Sequence, residues 1–168
     1  MSGKPEKDEW LTAIIRAWNA LTSVTAYRMR SEPAAQSNSG WRGEGEGQVR
    51  TQLDEAGVVL HFFEQGTFKP TQVQSIESRN VFRWELNDHH LALYHERRGP
   101  ENAVFLFDLM AVSDHSLQTR SPHLCGQDVY DAALTLHDTH LELIWSINGP
   151  HKAERLVYHY QYNHYQRR

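Results

Sequence analysis

The sequence predicts an all-β protein: an antiparallel up-and-down β-barrel with an N-terminal α-helix, in a single domain over residues 1–168. Three observations carry this expectation. After residue 24, polar and apolar residues alternate with a period of two, the signature of strands with one buried face. The breaks are short and turn-like, at Asn87-Asp88, Asp138-Thr139 and Gly149-Pro150, and short connections join antiparallel neighbours. One segment alone, residues 8–21, repeats at helical spacing instead. A closed barrel is preferred to a sandwich because closure removes the edges that so long a run of strands would expose.

In the helix, Trp10, Leu11, Ile14, Ile15, Trp18 and Leu21 form a continuous apolar stripe, with Asp8 and Glu9 in the first turn suiting the positive end of the dipole. Such a helix is expected to plug or flank the barrel. Residues 24–32 form the first strand, closed by Pro33 and a polar loop through Gly40. Residues 41–53 form the second, with Gly43, Gly45 and Gly47 on one face, which predicts a sharply curved strand with room beside it. Residues 58–68 alternate next. Pro70 then confines residues 73–78 to an edge or a strand start. Residues 81–86 set Phe82, Trp84 and Leu86 opposite Arg83 and Glu85, and a turn leads into residues 90–97. Residues 103–112 read as a buried strand and residues 113–122 as a loop. Three strands complete the barrel, at residues 128–137, 140–147 and 154–165. The last sets Leu156, Tyr158, Tyr160 and Tyr162 on one face.

Composition excludes several classes of function. A net charge of −4 and a pI near 6.2 argue against a nucleic-acid grip, which needs a basic face. No apolar run is long enough for a helix to span a bilayer, and the first nine residues carry charges where a signal peptide would be apolar. One cysteine rules out an internal disulfide and suits a reducing compartment, so a cytoplasmic location is expected. The 11 histidines are scattered, with no metal-ligand spacing, and no metal site is assigned.

The chemistry concentrates in two pieces. His123-Leu124-Cys125-Gly126-Gln127-Asp128-Val129-Tyr130 gathers an imidazole, the thiol, a carboxylate and a phenol, and Gly149-Pro150-His151-Lys152 adds a turn and an ammonium. This order and spacing, with Trp84, Trp145 and the aromatic last strand, resembles a bacterial family called domain of unknown function 6314. The resemblance implies a lipocalin-like (calycin) barrel and no particular activity.

Each candidate residue has two readings. His123 and Cys125 lie two apart on an extended segment, which suits a ligand or thiolate pair, but a packed cysteine and an imidazole bonded to a nearby carboxylate or carbonyl explain them better. Asp128 either orients His123 or Lys152 toward a ligand or caps the turn at Gly126. Tyr130, Trp84 and Trp145 are core aromatics or pocket walls, with polar tips that seek partners. Lys152 is a solvated charge or a cation at the barrel mouth. Glu64, Glu85, Glu96 and Asp108 lie within strands, and any that point inward need a partner such as Arg83 or Arg97.

The leading expectation is a binding protein that holds a small, partly apolar, anionic molecule inside the barrel, with Trp84, Tyr130 and Trp145 as walls and His123, Asp128 and Lys152 as anchors. An enzyme with His123 as general base oriented by Asp128, and a homodimer joined through the helix or a barrel edge, are the alternatives. The cofactor is unknown. Haem is the first to test, with His61, His90 and His159 as candidates that no spacing separates. The two signature pieces are expected to meet at one end of the sheet, because strand direction reverses twice between them.

Overall fold

A computed structural model describes residues 7–34, 42–120 and 123–162, with the side chains of residues 7–9 and 123–125 outside the described set. Helix α1 (Lys7–Thr22) leads directly into strand β1 (Val24–Pro33). The chain then forms β2 (Gly43–Leu53), β3 (Val59–Pro70), β4 (Ile76–Leu86), β5 (Leu91–His95), β6 (Val104–Ser113), β7 (Ser116–Thr119), β8 (His123–Cys125), β9 (Asp128–Leu136), β10 (His140–Asn148) and β11 (Ala153–Tyr162). All strand pairs are antiparallel. The order runs β10-β11-β1-β2-β3-β4-β5-β6-β7-β9, and the pairing of β9 with β10 closes the ring. Ten strands make the closed barrel, and β8 folds back on β9 as a short hairpin.

Helix α1 covers one end. Trp18 Nε1 donates to the carbonyl of Gly57 in the β2–β3 turn (3.0 Å), and Arg16 donates to the carbonyl of Asp114 in the β6–β7 turn (2.9 Å). The first of these turns is built by Asp54, whose carboxylate accepts the N–H groups of Val58 and Val59, with Gly57 at a φ of 76°. Those N–H bonds hold the Asp54 carboxyl below its usual range. The buried helix face is Ala13, Ile14, Ala17, Trp18 and Leu21. It is narrower than the stripe expected from sequence: Leu11 and Ile15 are 46% and 39% exposed, because the helix lies across the barrel end and touches it along one edge.

The expected strands differ from the observed ones at three places. Residues 73–78 and 81–86 are not separate pieces: residues 73–75 belong to a turn and β4 is continuous from Ile76. The loop expected at residues 113–122 contains β7, which is too short for its alternation to show, though Leu117 points inward and is fully buried. The expected ends at Trp41 and at residues 163–165 lie outside the described residues. The succession of β9, β10 and β11 across two short turns is found as expected.

The room expected beside the glycines of β2 is filled. Gly47 faces Gly66 in register, and a Cβ on Gly66 would overlap the Glu46 carbonyl oxygen and lie 2.6 Å from Gly47 Cα. Met29 covers Gly45, and Phe68 crowds Gly43. The glycines therefore serve close backbone approach. Gly66→Ala is expected to force β2 and β3 apart and to cost about 1–3 kcal/mol, the scale of overpacking a tight site. Urea denaturation checks this, and an unchanged midpoint would refute it.

Candidate functional site

Burial along the inward faces grades from one end of the barrel to the other. Near α1, the inward side chains Leu60, Phe62, Trp84, Leu91, Phe107, Leu109, Leu134 and Leu141 are packed and dry. Toward the opposite end, the inward Met29, Phe68, Ser78, Asn80, His95, Tyr130 and Leu156 all retain exposed surface. The barrel is thus packed solid at the helix end and less tightly covered toward the other.

A polar belt forms the boundary between the two halves. Alternation from Leu60 and Phe62 puts Glu64 on the inward face of β3, where it is 2% exposed. Tyr160 of β11 donates to Glu64 Oε2 at 2.7 Å, and Oε1 has no partner among the described residues. Asn80 of β4 stands directly opposite Glu64 in register. Its Oδ1 lies 3.3 Å from Nε2 of His95, which also stacks on Phe82 with ring centres 4.8 Å apart. Tyr158 stacks on Tyr160 (5.3 Å, 15° between planes), Tyr27 lies 6.3 Å from Tyr158, and Ser78 bonds Tyr27 from the far wall.

The belt's electrostatics follow from desolvation. Burial pushes the Glu64 carboxyl up to about 8, with the Tyr160 hydrogen bond acting against it, so the group is mostly neutral at pH 7. Burial first, and proximity to Glu64 second, raise Tyr158 and Tyr160 well above the usual phenol range. Burial, then the charge of Arg97, lowers His95. Among the described residues no lysine or arginine is buried, so Glu64 has no cation to pair with.

The signature residues take their places at the open end. Asp128 and Tyr130 start β9, and Val129 pairs with Asn148 just before the Gly149-Pro150 turn. Asp128 packs on Gly149 so closely that a Cβ there would lie 3.0 Å from Asp128 Cγ. Residues 123–125 pair with residues 128–130, so both sequence pieces meet at one end of the sheet. The side chains of His123 and Cys125 lie outside the described residues. Tyr130 stacks on Trp145 (6.4 Å, 20°) on the upper inner wall, and Lys152 is exposed at the rim. Trp84 stands apart from them, in the packed floor against Phe62, and its Nε1 has no partner among the described residues.

The belt was only partly visible in sequence. Glu64 was one of four strand carboxylates, and the partner expected for an inward one was Arg83 or Arg97; its partner is Tyr160. Arg83 instead serves Glu96 on the outer side. Tyr158 and Tyr160 stand on the shared face expected of the last strand, and no sequence signal singles out His95 or Asn80. The usable signal was a lone glutamate continuing the inward series Leu60, Phe62. The haem candidates do not face the interior: His61 bonds Glu96 at 3.1 Å, His90 approaches Asn87, and His159 alternates with the inward Tyr158 and Tyr160. A cleft of about 560 Å³ at β1–β3 is lined by the inward Met29 and Gly45 and by Arg28, Arg30, Glu44, Glu46, Lys69 and His159, three basic side chains against two carboxylates beside the imidazole. Among the described residues no His, Cys, Asp and Glu group is arranged to hold a metal ion, and no helix is long and apolar enough to cross a membrane.

The model of the family of unknown function DUF6314 matches residues 25–162, nearly the whole barrel, and the chain belongs to this family. No curated protein matches the chain.

Proposed function

We propose that this DUF6314 member binds a small, partly apolar molecule in the open half of its barrel, its polar head on the Glu64 belt. The observation that carries the reading is Glu64 Oε1, a buried polar atom without a partner among the described residues, on the inward face where burial begins to loosen. Leaving such an atom unpaired costs about 1–3 kcal/mol, so natural proteins keep few of them. A ligand head supplies the missing bond. The apolar body lies along Tyr130, Trp145 and Leu156, and the exposed Ile76 and Val104 at the same end offer it an apolar rim. Asp128 and Lys152 border the part of the ligand that stays near solvent. Trp84 supports the floor. The single thiol suits a reducing, cytoplasmic setting.

Thermal-shift screening with fatty acids, fatty alcohols and amines, tetrapyrroles and flavins tests this. At least one class is expected to raise Tm by about 5 °C at saturating ligand. Leu156→Trp, which fills the upper half from an inward position, is expected to abolish that rise without lowering the unliganded Tm by a comparable amount. Failure of every class, or an unchanged rise in Leu156→Trp, overturns the reading.

A further inference from the structure

We propose that the head group received by the belt is a protonated amine, held between the Glu64 carboxylate and the tyrosine rings. This rests on the reading of the barrel as a ligand cup and adds the charge of what enters it.

Three observations select a cation. First, Glu64 is a buried carboxyl on the inward face, and among the described residues no buried lysine or arginine offsets it. An anionic head would meet a carboxyl and gain no counter-charge there, whereas an ammonium brings the charge that Glu64 lacks. Second, the groups beside Glu64 present acceptor oxygens, with Asn80 Nδ2 and the phenol hydroxyls also able to donate. Glu64 Oε1, Asn80 Oδ1 from the neighbouring strand and the phenol oxygens can each take a hydrogen bond, and an ammonium has three donors and no acceptor. Third, the surroundings are aromatic: Phe62 meets Tyr160 edge-on at 5.3 Å, Tyr158 stacks on Tyr160, and Phe82 meets Tyr158 at 6.5 Å. Electron-rich rings attract a cation once water is excluded.

Binding then moves a proton. Burial keeps unliganded Glu64 mostly neutral at pH 7, and an arriving ammonium stabilises the carboxylate, so the Glu64 proton leaves to solvent. The other titratable groups facing the belt do not supply it. Tyr27, Tyr158 and Tyr160 are held protonated by burial, and His95, beyond Asn80, is shifted toward its neutral form.

Isothermal titration of the full chain with decylamine, decanol and decanoate at pH 7, in two buffers of different ionisation enthalpy, tests the proposal. Decylamine is expected to bind about tenfold or more tightly than the other two and to release close to one proton. The release should fade as pH rises past the Glu64 titration. Glu64→Gln should erase both the preference and the release. If that variant does not fold, the proton count on the native chain decides. Equal binding of all three probes, or decylamine binding without proton release, overturns the amine head and leaves the ligand cup standing. Tightest binding by decanoate does the same. Binding by none of the three overturns the amine head, and the cup falls with it if the wider screen is also empty.

Discussion

Arg83→Met is expected to destabilise the fold by about 3–5 kcal/mol, the cost of stranding a buried charge. Glu96 follows directly after β5 on the outer side of the barrel, yet it is only 3% exposed. Arg83 Nη1 donates to its Oε2 at 2.6 Å, and His61 Nε2 lies 3.1 Å from Oε1. Arg83 also lies 3.6 Å from Glu85 and covers the Tyr94 ring at 4.4 Å. The three strands that carry this network, β3, β4 and β5, are joined by it across their outer faces, since His61 and Arg83 are register partners. Methionine keeps the length of the stem and removes the charge, so the loss reads the uncompensated Glu96 rather than a cavity. The double variant Arg83→Met, Glu96→Leu is expected to recover most of the loss, because an apolar pair of similar volume leaves no buried charge behind. Urea denaturation of both variants measures this. A loss below about 1 kcal/mol, typical of a surface ion pair, would show that water reaches Glu96.

The same residues show how far the fold was legible in sequence. Strands β9 to β11 could be placed because Leu141, Leu143, Trp145 and Ile147 alternate strictly and the turns on either side are three and four residues long. Closure of the ring was expected on general grounds, but its route was not readable: β7 is four residues long and bridges β6 to β9, and so short a strand has no visible period. The site was less legible for a physical reason. Alternation assigns a residue to a face but says nothing about depth, and depth separates the dry floor at Trp84 from the open wall at Tyr130. Nor does it distinguish Glu64 from Glu96. Both are buried carboxyls, Glu64 in β3 and Glu96 just after β5, but Glu96 finds an arginine and a histidine while Glu64 finds a phenol. That difference depends on which strands meet across the interior, a property of the closed barrel rather than of any local pattern.

Glu64→Gln is expected to raise stability at pH 7.5 by about 4 kcal/mol and to leave it nearly unchanged at pH 4. The sign follows from proton linkage. Burial raises the folded-state value of Glu64 from 4.5 to about 8, so between those limits the native state holds a proton that the unfolded chain has released. Stability therefore falls as pH rises through this window, by about 1.4 kcal/mol per pH unit for one group, and levels off above pH 8. Glutamine keeps an oxygen to accept the Tyr160 hydroxyl and has no proton to lose, so the slope should vanish. Urea denaturation of both proteins at half-unit intervals from pH 4 to pH 8.5 measures the difference. Parallel profiles would mean that Glu64 is ionised in the fold and has found a counter-charge. A gain of this size from one substitution has a functional reading as well. A residue that weakens its own fold near neutral pH, in the interior of a barrel where leucine or phenylalanine would pack, is retained at a cost that packing does not explain. The same costly carboxyl faces the open half of the cup, and binding a cation there would recover part of what folding loses.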